Sequence, residues 1–358
     1  MKSLITIIFF GLIFYTSCTK SIEQVKKSNT INSPKISNEY TSDKMLLVLS
    51  APSVHNIYYK PAFQKIVDFQ INYAKAILGN DNVVVIVDKD TKKFYQDKLP
   101  EDVLITADVY DIWMRDFTTV NPLNPVQFQY SWASMSKKQS QETQQSFAEF
   151  ADKYGIERTK SELIIDGGNI VDNYGGKFIT TTRFAKDNKL SDKEANEKLK
   201  QTLNAKEIAI LEPDEEVLAH SDGMVMWLDE KTLLVNNYSG DKAFRKLVLD
   251  ELNTSFPDTK IIEVPVEYGK NKKGEWEGFE SACGVNLNSV LTFKNIYVPI
   301  FRMAHDAIAV KIIKENTDKK VIEIDAKGVC PMGGSVRCLT WQLTGENAIR
   351  LIEAAKKD

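Results

Sequence analysis

Short apolar runs recur along this chain in a fixed order: two runs split by a turn, an amphipathic stretch, then one more run. Phe117 to Val120 and Val126 to Tyr130 predict a hairpin, Gln144 to Tyr154 a helix and Leu163 to Ile165 a strand. Asn169 to Asp172 and Lys177 to Thr182 predict the next hairpin, around Tyr174-Gly175-Gly176. Asp192 to Leu203 and Glu207 to Leu211 supply its helix and strand. Met224 to Leu228, Thr232 to Asn236, Lys242 to Leu252 and Lys260 to Val264 repeat the order. So do Ser289 to Phe293, Ile296 to Pro299, Met303 to Glu315 and Lys320 to Ile324. The period is roughly 50 residues, in the range of radial or stacked repeats. A fifth unit can be assembled from Cys338 to Ala355 together with N-terminal strands such as Val83 to Val87. Joining the two chain ends in one unit would close a ring of ββαβ units and remove exposed sheet edges.

The pattern begins at Met45 to Leu49, a buried-strand run. Before it, Lys2, the apolar run Leu4 to Tyr15 and Ser17 have the order of a secretory signal. The run is too short for a comfortable membrane span. Cys18 follows the small residue, as at a bacterial lipoprotein processing site. Residues 1–17 are therefore expected to be a signal peptide and Cys18 the lipidated first residue. Plain secretion and an uncleaved anchor are the alternatives. Residues 18–43 are rich in Lys, Ser, Asn and Thr without apolar period and predict a flexible tether. Residues 44–358 are expected to form a single domain on an exported, membrane-anchored protein that meets the membrane through its lipid alone.

Composition adds exclusions. The net charge is −3 over 358 residues, without the basic balance of a nucleic-acid binder. Apolar content of 43% is enough for an ordinary globular core. Besides Cys18 the cysteines are Cys283, Cys330 and Cys338. An odd count in an exported chain leaves one thiol over. A Cys283–Cys330 pair is compatible with a free Cys338, and the sequence leaves that bond open.

Polar residues fall at one phase of the repeat. Asp116 lies just before the first hairpin, Asp166 and Asn169 before the second, and His220 and Asp222 before the third. Asn288 lies before the fourth, and Cys338 opens the fifth. In a ring, equivalent positions converge on the axis. A thiol nucleophile, an imidazole acid/base and several carboxylates would then share one pocket. Carboxylates oppose thiolate formation unless the substrate is itself cationic. A planar guanidinium, which pairs bidentately with carboxylates, fits that requirement. Neither metal nor organic cofactor is called for. His55 and His305 are read as structural.

Trp113-Met114-Arg115-Asp116, Asp166-Gly167-Gly168-Asn169, His220-Ser221-Asp222, Asn288 and Gly333-Gly334 with Cys338 resemble the agmatine deiminase and bacterial-type peptidylarginine deiminase family. The resemblance spans about Met45 to Leu343. It implies a five-bladed α/β propeller of the guanidino-group-modifying superfamily. It implies Cys338 as nucleophile, His220 as acid/base, and Asp116 and Asp222 as guanidinium ligands. Asp166, Asn169, Asn288, Trp113 and Gly334 are implied around the substrate. Three departures stand out: Phe117-Thr118-Thr119 after the first motif, Asp166 where agmatine deiminases have Glu, and Arg337 where His often precedes the nucleophile. Arg337 is expected to favour the thiolate. The substrate is expected to be a small-molecule or peptide guanidine: agmatine, free arginine or a peptidyl arginine. The rival readings are an amidinotransferase, a non-catalytic binder of guanidino ligands and, last, a cysteine protease. The oligomeric state is not legible.

Overall fold

In a computed structural model, the chain is described over residues 38–133, 135–271, 276 and 280–358. The expected signal peptide and Cys18, and most of the expected tether, lie outside the described residues. Among the described residues the strands form five separate sheets in a mixed α/β fold.

Strands are set by apolar runs bounded by turn residues. The first sheet combines β1 (Leu46–Ser50), β2 (Asn82–Val87), β3 (Leu104–Thr106) and β16 (Trp341–Leu343), in the order β16-β1-β2-β3. β1 and β2 are buried along their whole length, as parallel strands covered on both faces must be. The others have three strands each: β4 (Thr119–Val120), β5 (Val126–Gln129) and β6 (Thr159–Ile164); β7 (Val171–Asp172), β8 (Lys177–Thr181) and β9 (Glu207–Leu211); β10 (Val225–Trp227), β11 (Thr232–Asn236) and β12 (Lys260–Val264); β13 (Val290–Leu291), β14 (Asn295–Ile300) and β15 (Lys320–Asp325). In each of these four, the first strand pairs antiparallel with the middle one, and the middle pairs parallel with the third. The first sheet obeys the same rule: β16 is antiparallel to β1, and β1 is parallel to β2. Its leading strand comes from the other end of the chain, so the termini close the repeat.

The parallel steps need crossovers, and helices supply them. α3 (Lys137–Lys153), α5 (Asp192–Leu203), α6 (Lys242–Ser255) and α7 (Asp306–Glu315) stand where the sequence predicts helices. α3 and α5 begin with reciprocal capping boxes, Ser136 with Gln139 and Ser191 with Glu194. α8 (Gly345–Ala355) follows β16. Apolar periodicity also builds α1 (Phe63–Ile77), which joins β1 to β2 and goes unpredicted by the repeat, as do β3 and α4 (Arg183–Asn188).

One expectation changes where the chain reaches the first carboxylate. Phe117 was read as the start of a strand, but Met114–Phe117 is a single helical turn, α2. Arg115 N–H donates to the carbonyl of Cys338 at 3.0 Å, tying this turn to the nucleophile's backbone. Extended backbone would carry Asp116 away from that loop.

Candidate active site

Each candidate residue stands just ahead of the leading strand of its sheet. Asp116 is in α2 before β4. Asp166 and Asn169 flank the turn before β7, and His220 and Asp222 the turn before β10. Asn288 precedes β13 and Cys338 precedes β16. The shared position brings them together.

His220 is the hub. Its Nε2 lies 3.2 Å from Asp166 Oδ2 and its Nδ1 3.8 Å from Asp116 Oδ1. Burial opposes the imidazolium, but Asp116, Asp166 and Asp222 outweigh it and lift the His220 pKa to about 9. Asp116 moves up to about 7: burial leads, the nearby Asp166 and Asp222 add to it, and His220 and the Gly168 N–H oppose it. That N–H donates to Asp116 Oδ1 at 3.1 Å. Position 168 admits only glycine here, because a Cβ would sit 2.5 Å from His220 Nδ1 and 2.7 Å from Asp116 Oδ1.

Cys338 is the free cysteine among the described residues, and Cys283 is disulfide-bonded to Cys330. Its thiol lies 3.9 Å from Asp222 Oδ2 and accepts from Asn288 Nδ2 at 3.2 Å. Burial first, then Asp222 and Asp116, push its pKa well above the ordinary thiol range, although the Asn288 contact favours the thiolate. Arg337, expected to favour the thiolate, pairs with a neighbouring carboxylate rather than with the sulfur itself. Its guanidinium turns onto Asp222 Oδ2 at 2.9 Å and the Ile170 carbonyl at 2.7 Å. Arg337 and the Cys338 thiol thus approach the same carboxylate oxygen, which gives the guanidinium a buried counter-charge.

Two cavities meet at the reacting groups. One, of about 450 Å³, is lined by Asp222, Asn288, Val285 and Tyr268 among others. The second, of about 370 Å³, is lined by Asp116, Trp113, Tyr58, Tyr110 and Glu142 among others. Cys338, His220, Leu218 and Gly333 line both. The thiol and imidazole thus stand at the junction, with one carboxylate, Asp116 or Asp222, on each side.

Not every predicted contact reaches a cavity. Asn169 Oδ1 accepts from the backbone N–H groups of Thr181 and Ser221, at 3.0 and 3.2 Å. It braces two neighbouring sheets and lines neither cavity. Asp166 also lines neither; besides His220 it accepts from Ser131 N–H and Oγ at 2.8 and 2.7 Å. Gly334 lies behind the Trp113 ring, where a Cβ would come within 2.5 Å of Cζ3. Asn288 lines the larger cavity, yet its Oδ1 also accepts from Ser335 Oγ at 2.9 Å and Arg337 N–H at 3.2 Å, fixing the nucleophile's loop. Ser131 was missed because a lone serine after a strand carries no motif. His305 Nε2 contacts the Gly284 carbonyl at 3.0 Å, a structural role as expected. Among the described residues, no group of three or more His, Cys, Asp or Glu is placed to hold a metal ion.

The fold is shared with solved structures of agmatine deiminases. An agmatine deiminase from C. jejuni superposes with a TM-score of 0.71 at 20% identity, over 86% of this chain and 99% of that one. One from Enterococcus faecalis gives 0.69 at 16% identity, over 84% and 93%. An arginine deiminase structure from Porphyromonas gingivalis gives 0.63 at 17%, over 84% and 96%. Comparison with curated protein sequences returns no match. The chain belongs to the Porphyromonas-type peptidyl-arginine deiminase family, whose profile matches residues 37–343.

Proposed function

We propose that this protein is a guanidino-group deiminase, a hydrolase that converts a guanidinium to a ureido group and ammonia. One observation carries the reading: Cys338 and His220 share the junction of two cavities, with Asp116 and Asp222 beside them. The site is built for a cation. Its thiol is held neutral by burial and carboxylates, and a bound guanidinium supplies the positive charge that lets the thiolate form.

The cycle follows from the protonation states. Guanidinium binds to Asp116 and Asp222 and the thiol proton passes to solvent, to be regained when the product leaves and the thiol reforms. The Cys338 thiolate attacks the central carbon and the C=N π pair moves to nitrogen. His220, charged at neutral pH, protonates a terminal nitrogen, which departs as ammonia and leaves a thiouronium on sulfur. Neutral His220 then takes a proton from water as its oxygen adds to the same carbon. The C–S bond breaks, releasing the ureido product and the thiolate. The proton shed by the hydroxyl ends on ammonia as ammonium. Asp166, fixed by Ser131, orients the imidazole throughout.

The five sheets, with one strand rule and one phase of polar residues, support a five-bladed α/β propeller with this site at its axis. The cavity linings bear on the substrate's tail. Asp214, Glu215 and Glu280 line the larger cavity with Lys270 among them, and Asp111 and Glu142 line the smaller. This excess of carboxylates favours agmatine or an arginine whose carboxylate is masked over free arginine. Export with a lipid on Cys18 belongs to the proposal too, supported by the order of basic, apolar and small residues in 1–17. Fatty-acid labelling that persists in Cys18→Ala would remove that part. The activity is tested by incubating the purified domain with agmatine, arginine and arginine peptides and measuring ammonia. Agmatine or a blocked arginine should lead, and no ammonia from any of them would sink the deiminase reading.

A further inference from the structure

Arg337 is buried, and its guanidinium makes the 2.9 Å contact to Asp222 Oδ2 with both side chains nearly out of solvent. That same oxygen is the one 3.9 Å from the Cys338 thiol. Arg337 is pinned at both ends. Its N–H donates to the Asn288 carbonyl at 3.1 Å, and its Nη2 to the Ile170 carbonyl at 2.7 Å, next to β7. The half-buried Asp172 and the buried Arg115 are further charges that interact with this cluster. Around the thiol stand Asp116, Asp222 and His220, with Arg337 behind Asp222. The chain thus keeps a permanent guanidinium of its own on one of the two carboxylates expected to take the substrate's. That leaves one Asp222 oxygen for a ligand and offsets the charge that most opposes the thiolate.

We propose that Arg337 is a positioning residue: it holds Asp222 with one oxygen free for the substrate and screens that carboxylate's charge from Cys338. The proposal rests on the deiminase reading for its catalytic meaning, but the electrostatic half is testable without a substrate.

The experiment follows alkylation of Cys338 by iodoacetamide against pH, read on the Cys338 peptide by mass spectrometry, beside kcat/KM for the best guanidine. In Arg337→Gln, alkylation at neutral pH should slow about tenfold, as for a thiol pKa raised by one unit, and kcat/KM should fall at least as far. Arg337→Lys keeps the charge and should regain most of the alkylation rate. It cannot reach Asp222 and the Ile170 carbonyl together, so kcat/KM should stay low. Asp222→Asn should alkylate faster than wild type, because it removes the negative charge nearest the thiol. A wild-type rate in Arg337→Gln, or a rate in Arg337→Lys as slow as in Arg337→Gln, overturns the proposal. If Arg337→Gln fails to fold, Asp222→Asn alone decides: it should alkylate faster than wild type, and an equal or slower rate overturns it. A wild type that releases no ammonia but obeys the alkylation pattern refutes the deiminase reading and leaves the screening role standing.

Discussion

At the scale of residues, function rests on three buried carboxylates whose charges are divided among neighbours. Asp166 orients His220, Asp222 is engaged by Arg337, and Asp116 keeps the raised pKa. The pH dependence follows with its sign. Asp116 must be ionised to hold a guanidinium, so kcat/KM should rise with pH through about 7. His220 must be charged to expel ammonia, so activity should fall as pH rises through about 9. A steady-state profile checks both limbs. A flat profile between pH 6 and 10, on the order of the range these two groups span, would show that neither governs the reaction. That Cys338, His220, Asp116 and Asp222 would come together was legible from their common phase in the repeat and from the motifs that carry them. Which carboxylate serves which partner was not. That division depends on side-chain rotamers: Arg337 and Cys338, adjacent in sequence, both approach Asp222 Oδ2, at 2.9 and 3.9 Å.

Among elements, the middle and third strands of the repeat were the most legible. Lys177, Thr232 and Lys260 begin strands close to where turn residues hand over to alternating or apolar runs. The leading strands were read too long: β4, β7 and β13 keep only two residues each, because the chain ahead of them bends to aim side chains into the site. α1 and β3 were invisible to the repeat because they belong to the unit split between the termini. The Cys283–Cys330 disulfide works at this scale. It ties the segment leading to Asn288 to the short helical turn Cys330–Met332 that precedes the nucleophile loop, across 47 residues of sequence. Closing a loop of that length stabilises by about 4 kcal/mol in a chain-entropy model. Reduction under mild thiol should therefore lower Tm by several degrees, and a thermal melt with and without reductant measures it. An unchanged Tm would mean the tie is dispensable.

Across the whole molecule, the repeat explains how residues more than two hundred positions apart come to share a pocket. Each of the five sheets is preceded by a turn that carries one or two of these residues, and β16 pairs with β1 from the other end of the chain. The number of units and the splicing of the termini were readable from periodicity alone. The two cavities were not, because much of their walls comes from loops outside the repeat, such as those carrying Tyr58, Tyr110 and Tyr268. Those walls, rather than the shared centre, distinguish one guanidine from another.

The account stands or falls on a covalent bond between Cys338 and the guanidino carbon. Rapid acid quenching of enzyme and substrate, followed by peptide mass spectrometry, looks for it directly. A thiouronium should appear on the Cys338 peptide, heavier by the mass of the neutral substrate less ammonia. It should be absent from Cys338→Ala, which should release no ammonia above background. Undiminished ammonia release by Cys338→Ala, with no adduct on the wild type, would contradict the mechanism at its first step.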